Sequence, residues 1–242
     1  LAIDKSSITI MGYTKNNKRL TILDGLHVLS DAAIGSGSDI EIRDLIVKNY
    51  TSNGLMLNHA RNVTYRNLEC HNTGLYGIYP VECVGVLIEN CLVTGSSDAA
   101  IYVGQSKDII VRGNIAHGNV TGIEIENSVN ALVENNEVFD NAGGILVFLL
   151  PNNPSKVSMN CRLVNNYIHD NNHENFADPT AIVSRVPSGI GIQTCSMNSV
   201  AMMTSVYRVY SDVCSGQDAR AASTLSSHPR SSCGTESSSL RV

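Results

Sequence analysis

The 242-residue sequence has no tryptophan and only three phenylalanines, and aromatic residues of all kinds make up 5% of it. Any interior must then be built mainly from Ile, Val, Leu, Ala and Cys. Charge is also scarce, at 16% against 43% hydrophobic residues. That excludes the highly charged, weakly apolar composition of a disordered chain. The formal net charge is −5; without a basic surplus to neutralise phosphates, nucleic acid is excluded as a general partner. No apolar run approaches the roughly 18 residues of a membrane helix, so no membrane span is expected. The opening LAIDKSSITI lacks a basic stretch followed by an apolar run. Leu1 is not methionine, so either a leader has been removed or the sequence is a piece of a longer chain. The seven cysteines include no CxxC pair, which leaves no metal site by spacing, and their odd number leaves at least one unpaired. Cys70, Cys83, Cys91 and Cys161 read as small buried hydrophobes, and the redox compartment stays open. Sequons at Asn49, Asn62 and Asn119 are too common by chance to settle it.

What the sequence has in abundance is asparagine: 25 residues, the last of them Asn198. It also has a repeat. Apolar pairs recur at Ile40/Ile42, Val63/Tyr65, Val86/Ile88, Ile109/Val111, Ala131/Val133 and Cys161/Leu163, with second members 23, 23, 23, 22 and 30 residues apart. A second track reads Leu55/Leu57, Ile78/Pro80, Ile101/Val103, Ile123/Ile125, Ile145/Val147 and Ile190/Ile192. A small residue precedes each pair: Gly54, Gly77, Ala100, Gly122, Gly144 and Gly189. A third track holds Val47, Cys70, Val93, Ala116, Val138 and Ile168. Period-two alternation indicates strands with one buried face. A unit this short buries that face only by stacking on its neighbours, so three short strands per coil of ~22 residues describe an all-β parallel β-helix. Asp44, Asn67, Asn90, Gly113, Asn135 and Asn165 share a turn position that suits left-handed backbone, and stacked Asn side chains are expected to hydrogen-bond from coil to coil as an internal ladder.

The segments RNVTYRNLECHNTGLYGIYP, KDIIVRGNIAHGNVTGIEIENS and VNALVENNEVFDNAGGILV resemble the right-handed parallel β-helix proteins of the pectin-lyase-like group. The resemblance covers residues 1–192, the expected solenoid domain; right-handedness follows from it and from the usual hand of parallel crossovers. Residues 193–242 fall off the pattern and end in a Ser-rich stretch, read as a disordered tail or a cap on the open end. Two Asn/Pro-rich insertions, Leu149–Met159 and 171–188, interrupt the stack and would build a groove wall on a rigid scaffold.

The second track also locates the candidate site. Its outward-facing positions form two files, Met56/Tyr79/Tyr102/Glu124/Leu146 and Asn58/Val81/Gly104/Glu126/Phe148. Tyr76 lies just before this strand, Asp98 in the turn beside it, and His59, Glu82, Gln105 and Asn127 just after it. Tyr76, Asp98 and Glu124 are the candidate catalytic residues; Tyr79, Tyr102, Glu126, Gln105 and Asn127 are the candidate substrate-binding residues. Tyr rings stack on sugar faces, and carboxylates bind sugar hydroxyls, hold Ca²⁺ or act as acid and base. Glu124 and Glu126, about 7 Å apart along the backbone, also suit the spacing of an inverting hydrolase pair, about 6.5–9.5 Å. An ordinary solvated strand face is the competing reading.

The segment Tyr76-Gly77-Ile78-Tyr79-Pro80-Val81-Glu82 resembles the Tyr-Gly-Phe-Asp-Pro-His-Glu stretch of mannuronan C5-epimerases. That resemblance implies a proton-carrying role for Tyr76, but Tyr79 replaces the family's catalytic Asp and Val81 its His. Partners would then come from Tyr79, Asp98 or His59. Arg61 and Lys107 flank the central file, and no cation lies on it. The pair His169 and His173 reads as structural or solvated rather than metal-binding. The function implied is binding, with or without processing of lyase or epimerase type, of a uronic-acid-containing polysaccharide. The setting is secreted, periplasmic or cell-envelope, and Ca²⁺ is the candidate ion, with no metal ligand assigned. The alternative is a non-catalytic structural or ligand-binding solenoid. Oligomeric state is left open.

Overall fold

The computed structural model describes residues 1–194 and, beyond them, the backbone of Val200–Met203, Ser205–Val206, Val209–Tyr210 and Arg220–Ser223. Three parallel sheets of nine, nine and eight strands run along the chain, and an antiparallel hairpin joins Thr14–Lys15 to Lys18–Arg19. Sheet A includes Leu55–Asn58, Ile78–Val81, Ala99–Gly104, Thr121–Glu126, Gly143–Phe148 and Ile190–Thr194. Sheet B includes Arg61–Arg66, Val84–Glu89, Lys107–Arg112 and Val129–Glu134. Sheet C includes Leu45–Tyr50, Glu69–Thr73, Leu92–Thr94, Ile115–His117, Glu137–Phe139 and Tyr167–His169. Each strand pairs with its counterpart one coil away, so the fold is an all-β right-handed parallel β-helix.

The apolar periodicity sets the register. Val63 pairs with Ile40 and Val86, Ile101 with Ile78 and Ile123, and Val93 with Cys70 and Ala116. The inward members of all three tracks fuse into one core, nearly all of it below 3% exposure. One register differs from the sequence reading. Ile192, not Ile190, pairs with Ile145, which puts Ile190 opposite Gly143 and Gly191 opposite Gly144. Gly191, rather than Gly189, is therefore the small residue of that coil. The reason is steric. At this corner a side chain would run into the next coil: a Cβ on Gly144 would lie 2.2 Å from the Gly191 carbonyl oxygen and 2.8 Å from Ile168 Cγ2. Gly144→Ala is expected to cost about 1–3 kcal/mol. An unchanged chemical-denaturation midpoint would show that the corner can relax.

The Asn surplus divides into two systems. Asn67, Asn90, Asn135 and Asn165 do adopt left-handed backbone, with φ between 51° and 54°, as their short polar side chains allow. The buried ladder, however, lies one residue further on and at a second corner. Asn114 donates to Asn136 and Asn136 to Asn166, each at 2.9 Å; Asn119 donates to Asn141 and Asn141 to Asn171, again at 2.9 Å. These amides are fully enclosed, and they also bind the backbone of neighbouring coils. An amide that is both donor and acceptor can satisfy two coils at once. Burial at these corners, not left-handed geometry, is what selects it.

Cys70, Cys83, Cys91 and Cys161 are buried as expected. Burial raises the Cys70 and Cys83 thiols and takes Cys91 up to about 12, which keeps them protonated and unreactive. His117, Phe139 and His169 stack face to face on sheet C at 4.9 and 5.0 Å, and His173 lies edge-on to Phe176, so His169 and His173 sit in separate packing contacts. Beyond residue 192, the boundary read from the sequence, the backbone of Val200–Met203 pairs in parallel with Arg162–Val164 and with Arg220–Ser223. The Ser-rich finish, read as tail or cap, lies outside the described residues. No helix among the described residues is long and apolar enough to cross a membrane.

Candidate functional site

The outward files of sheet A fall where the alternation puts them: Tyr79 pairs with Met56, Tyr102 with Glu124, Glu124 with Leu146, and Glu126 with Gly104 and Phe148. The face is not solvated. Tyr102 is 6% exposed, Glu124 4%, Glu126 6% and Asp98 8%. Tertiary structure covers them. The two insertions fold over this face and, with the strands, enclose a groove of about 910 Å³. Tyr76, Asp98, Glu124 and Glu126 line its floor; Leu149, Leu150, Val183, Val186 and Pro187 line its wall.

Tyr76 at the floor packs on two further tyrosines, which also meet each other. Tyr76 is 4.6 Å from both Tyr79 and Tyr102, and Tyr79 meets Tyr102 edge-on at 5.0 Å. Burial, reinforced by the acids nearby, pushes the Tyr76 and Tyr102 hydroxyls far above their ordinary value, so both keep their protons. Room for Tyr102 comes from Gly104, where a Cβ would lie 2.5 Å from the Tyr102 ring. Gly104→Ala is expected to displace that ring and break the contact between its hydroxyl and Glu126. Because the chain has nine tyrosines and no tryptophan, near-ultraviolet tyrosine dichroism reads the change directly. A spectrum identical to the unmodified protein would argue against the packing described.

All three carboxyls are raised by burial. Asp98 is raised to about 7, chiefly by burial and further by Glu126, while the Tyr76 hydroxyl opposes the rise. Glu124 is raised to about 8, first by burial and then by Asp98; Thr121 Oγ1 donates to its Oε1 at 2.6 Å and opposes the rise. Burial also raises Glu126, against hydrogen bonds from Tyr102 and from Asn153 of the first insertion. Among the described residues none of the three forms an ion pair, whereas Glu89 is held by Arg66 and Arg112 and Glu69 by Arg19. Asp98 Oδ1 is buried without a hydrogen-bond partner. Uncompensated buried acids oppose folding, and their clustering in a cleft makes this the candidate site. Near neutrality the Asp98/Glu124 pair holds both ionised and protonated carboxyls, which makes a base and an acid available together.

The remaining candidates divide. Asn127 is 1% exposed and holds the first insertion: its amide donates to the carbonyls of Leu150 and Ser155, and its Oδ1 accepts from Leu150 N. Its side chain is thus engaged in shaping the groove rather than in facing it. Gln105 Oε1 is buried without a partner. His59 pairs with Glu82 at 2.6 Å, with its side chain largely exposed. Among the described residues no group of three or more His, Cys, Asp or Glu side chains converges so as to hold a metal ion. The sequence reading missed Asn153, Thr121 and Arg185, the last a cation lining the groove. Two of these three come from the insertions, whose lack of periodicity hides which way each side chain points.

Residues 32–205 match the family model described as the right handed beta helix region. The chain belongs to that family of parallel β-helices. Among solved structures it is similar to an alginate lyase from Paenibacillus sp. str. FPU-7, with 18% identity, a TM-score of 0.54, and 83% of this chain and 73% of that one covered. It is also similar to the A-module of a mannuronan C-5 epimerase from Azotobacter vinelandii (15% identity, TM-score 0.49, coverage 83% and 68%). An exopolygalacturonase from Thermotoga maritima matches at 16% identity, with a TM-score of 0.46 and coverage of 74% and 47%. The search of curated proteins finds no match. The fold is thus shared with an alginate lyase, and a shared fold does not by itself assign an activity.

Proposed function

We propose that this protein binds a uronic-acid-containing polysaccharide in the groove over sheet A and processes it by lyase- or epimerase-type chemistry at C5, outside the cytoplasm. The observation that carries the reading is the set of three buried carboxyls, without ion-pair partners among the described residues, on the floor of one groove beside Tyr76, which packs on Tyr79 and Tyr102. Both reactions begin when a base removes the proton at C5. In elimination the electron pair left there forms the C4–C5 double bond, the C4–O bond breaks, and the leaving oxygen takes a proton. In epimerisation a proton returns to C5 from the opposite face. Tyr76 with Asp98 behind it supplies a proton carrier next to a base, and Glu124 is the protonated partner. Tyr79, Tyr102 and Glu126 hold the sugar by stacking and hydrogen bonding. The printed activity of one similar structure, an alginate lyase, fits this chemistry.

The test is incubation with a panel of uronans in D₂O, with and without Ca²⁺. Elimination appears as ultraviolet absorbance of the unsaturated uronide, whose C5 carries no hydrogen, and epimerisation as deuterium at C5. Absence of both signals on every polymer would sink the catalytic part. Tyr79 and Val81, standing where the epimerase pattern has Asp and His, favour a second reading: a ligand-binding solenoid without turnover. That reading requires uronan binding with no exchange at C5.

A further inference from the structure

The groove floor carries three acids, and its wall carries one cation among the described lining residues, Arg185. Arg185 ends a single-turn 3₁₀ helix, Ile182–Arg185, in the second insertion. That turn is seated firmly. Val183 is buried against Val120 and Ala177, and Asn175 Nδ2 donates to the carbonyls of Val183 and Val186 at 3.0 and 2.8 Å. Val186 packs onto sheet A where Gly143 offers no side chain; a Cβ there would meet Val186 Cγ1 at 2.8 Å. The guanidinium itself is exposed and, among the described residues, makes no ion pair or hydrogen bond. Elsewhere in the chain, arginines beside acids are paired: Arg19 with Glu69, Arg66 and Arg112 with Glu89. Here a cation and an acidic floor share one groove without neutralising each other, and Asp98 Oδ1 on that floor also lacks a partner.

We propose that Arg185 is the specificity-determining residue of the groove: its guanidinium binds the carboxylate of one uronic acid residue and discriminates against neutral sugars. This rests on the glycan reading above and extends it to a named residue. The planar fork of a guanidinium matches a carboxylate through two parallel charge-assisted hydrogen bonds. A single cation also sets the register of the chain, because a uronate anywhere else along the floor faces the acids alone.

The test is titration of the full chain with oligomannuronate, oligogalacturonate, neutral oligomannose and a sulfated galactan oligomer. The variants are Arg185→Ala, Arg185→Lys and, as a surface control outside the groove, Arg61→Ala. Arg185→Ala is expected to weaken uronate binding roughly 10- to 100-fold, about 1.4 to 2.8 kcal/mol, and to leave neutral binding unchanged. Arg185→Lys restores part of the loss, since it keeps the charge and loses the fork. Three results would overturn the assignment while leaving the glycan reading intact. These are uronate binding unaffected in Arg185→Ala, an equal loss for neutral and uronate chains, or a sulfated chain bound as tightly as a uronate. If the unmodified protein binds none of the four, the glycan reading falls and the Arg185 assignment with it.

Discussion

Glu124→Gln is expected to push activity and stability in opposite directions. Turnover of any glycan the protein processes should fall about 10²- to 10⁴-fold, the usual contribution of a general acid–base group. Stability at alkaline pH should rise. In the folded protein Glu124 is raised to about 8 from an ordinary 4.5, and Asp98 to about 7 from 3.8. The folded state therefore retains protons that the unfolded chain has already released. Stability from this pair is present in acid and is lost as pH climbs from about 4 to about 8. Glutamine keeps the acceptor that receives Thr121 Oγ1 and removes the ionisation, so the variant should melt about 5 °C or more above the parent at pH 9 and match it at pH 4. Melting curves at pH 4, 7 and 9 decide the matter. A parent–variant difference that does not change with pH would mean that Glu124 titrates as an ordinary surface acid. Tyr76→Phe separates the roles: it should lose turnover yet deepen the loss of stability with rising pH, because the hydroxyl that opposes the rise of Asp98 is gone.

The largest purely structural effect is expected in the Asn ladder. Asn119 is fully buried; its Oδ1 accepts from Ser96 N at 2.9 Å, and its amide donates to Asn141 Oδ1, Val93 O and His117 O. Alanine would strand a buried N–H and two buried carbonyls, at about 1–3 kcal/mol for each group left unmet. A total of about 3–9 kcal/mol follows, and denaturant titration measures it. Asn119→Ser should cost less, because the equivalent position one coil earlier is Ser96, itself bonded to Thr73 at 2.9 Å. A loss below 1 kcal/mol for the alanine variant would mean that the rungs act independently of one another. The same burial bears on the Asn119 sequon: a side chain enclosed on all sides has no room for a glycan, which peptide mapping of protein from a glycosylating host would confirm.

The fold was legible because a solenoid repeats its own constraints. Each inward Ile or Val recurs a coil later in the same environment, so the tracks through Val63, Ile101 and Val93 could be aligned without coordinates, and their pairings follow that alignment. The alignment slipped by two residues at Ile190, after the second insertion had broken the period and left two glycines, Gly189 and Gly191, that fit the pattern equally well. The left-handed Asn file was legible from residue type. The buried ladder beside it was not, because Asn114 and Asn119 differ from surface Asn only in what surrounds them.

The candidate site divides along the same line. Sequence alone determined that Tyr79, Tyr102, Glu124 and Glu126 share the outer face of one sheet, with Tyr76 and Asp98 just before its strands, since strand alternation is local and fixed by backbone geometry. Only the tertiary structure decided that this face is covered, that burial raises its acids, and that Arg185 stands in its wall. Those properties depend on two aperiodic insertions folding back over the coils, through Asn127 and Asn153 for one and Val183 and Val186 for the other. Burial sets the electrostatics of a carboxyl, and burial is made by residues far from it in the chain.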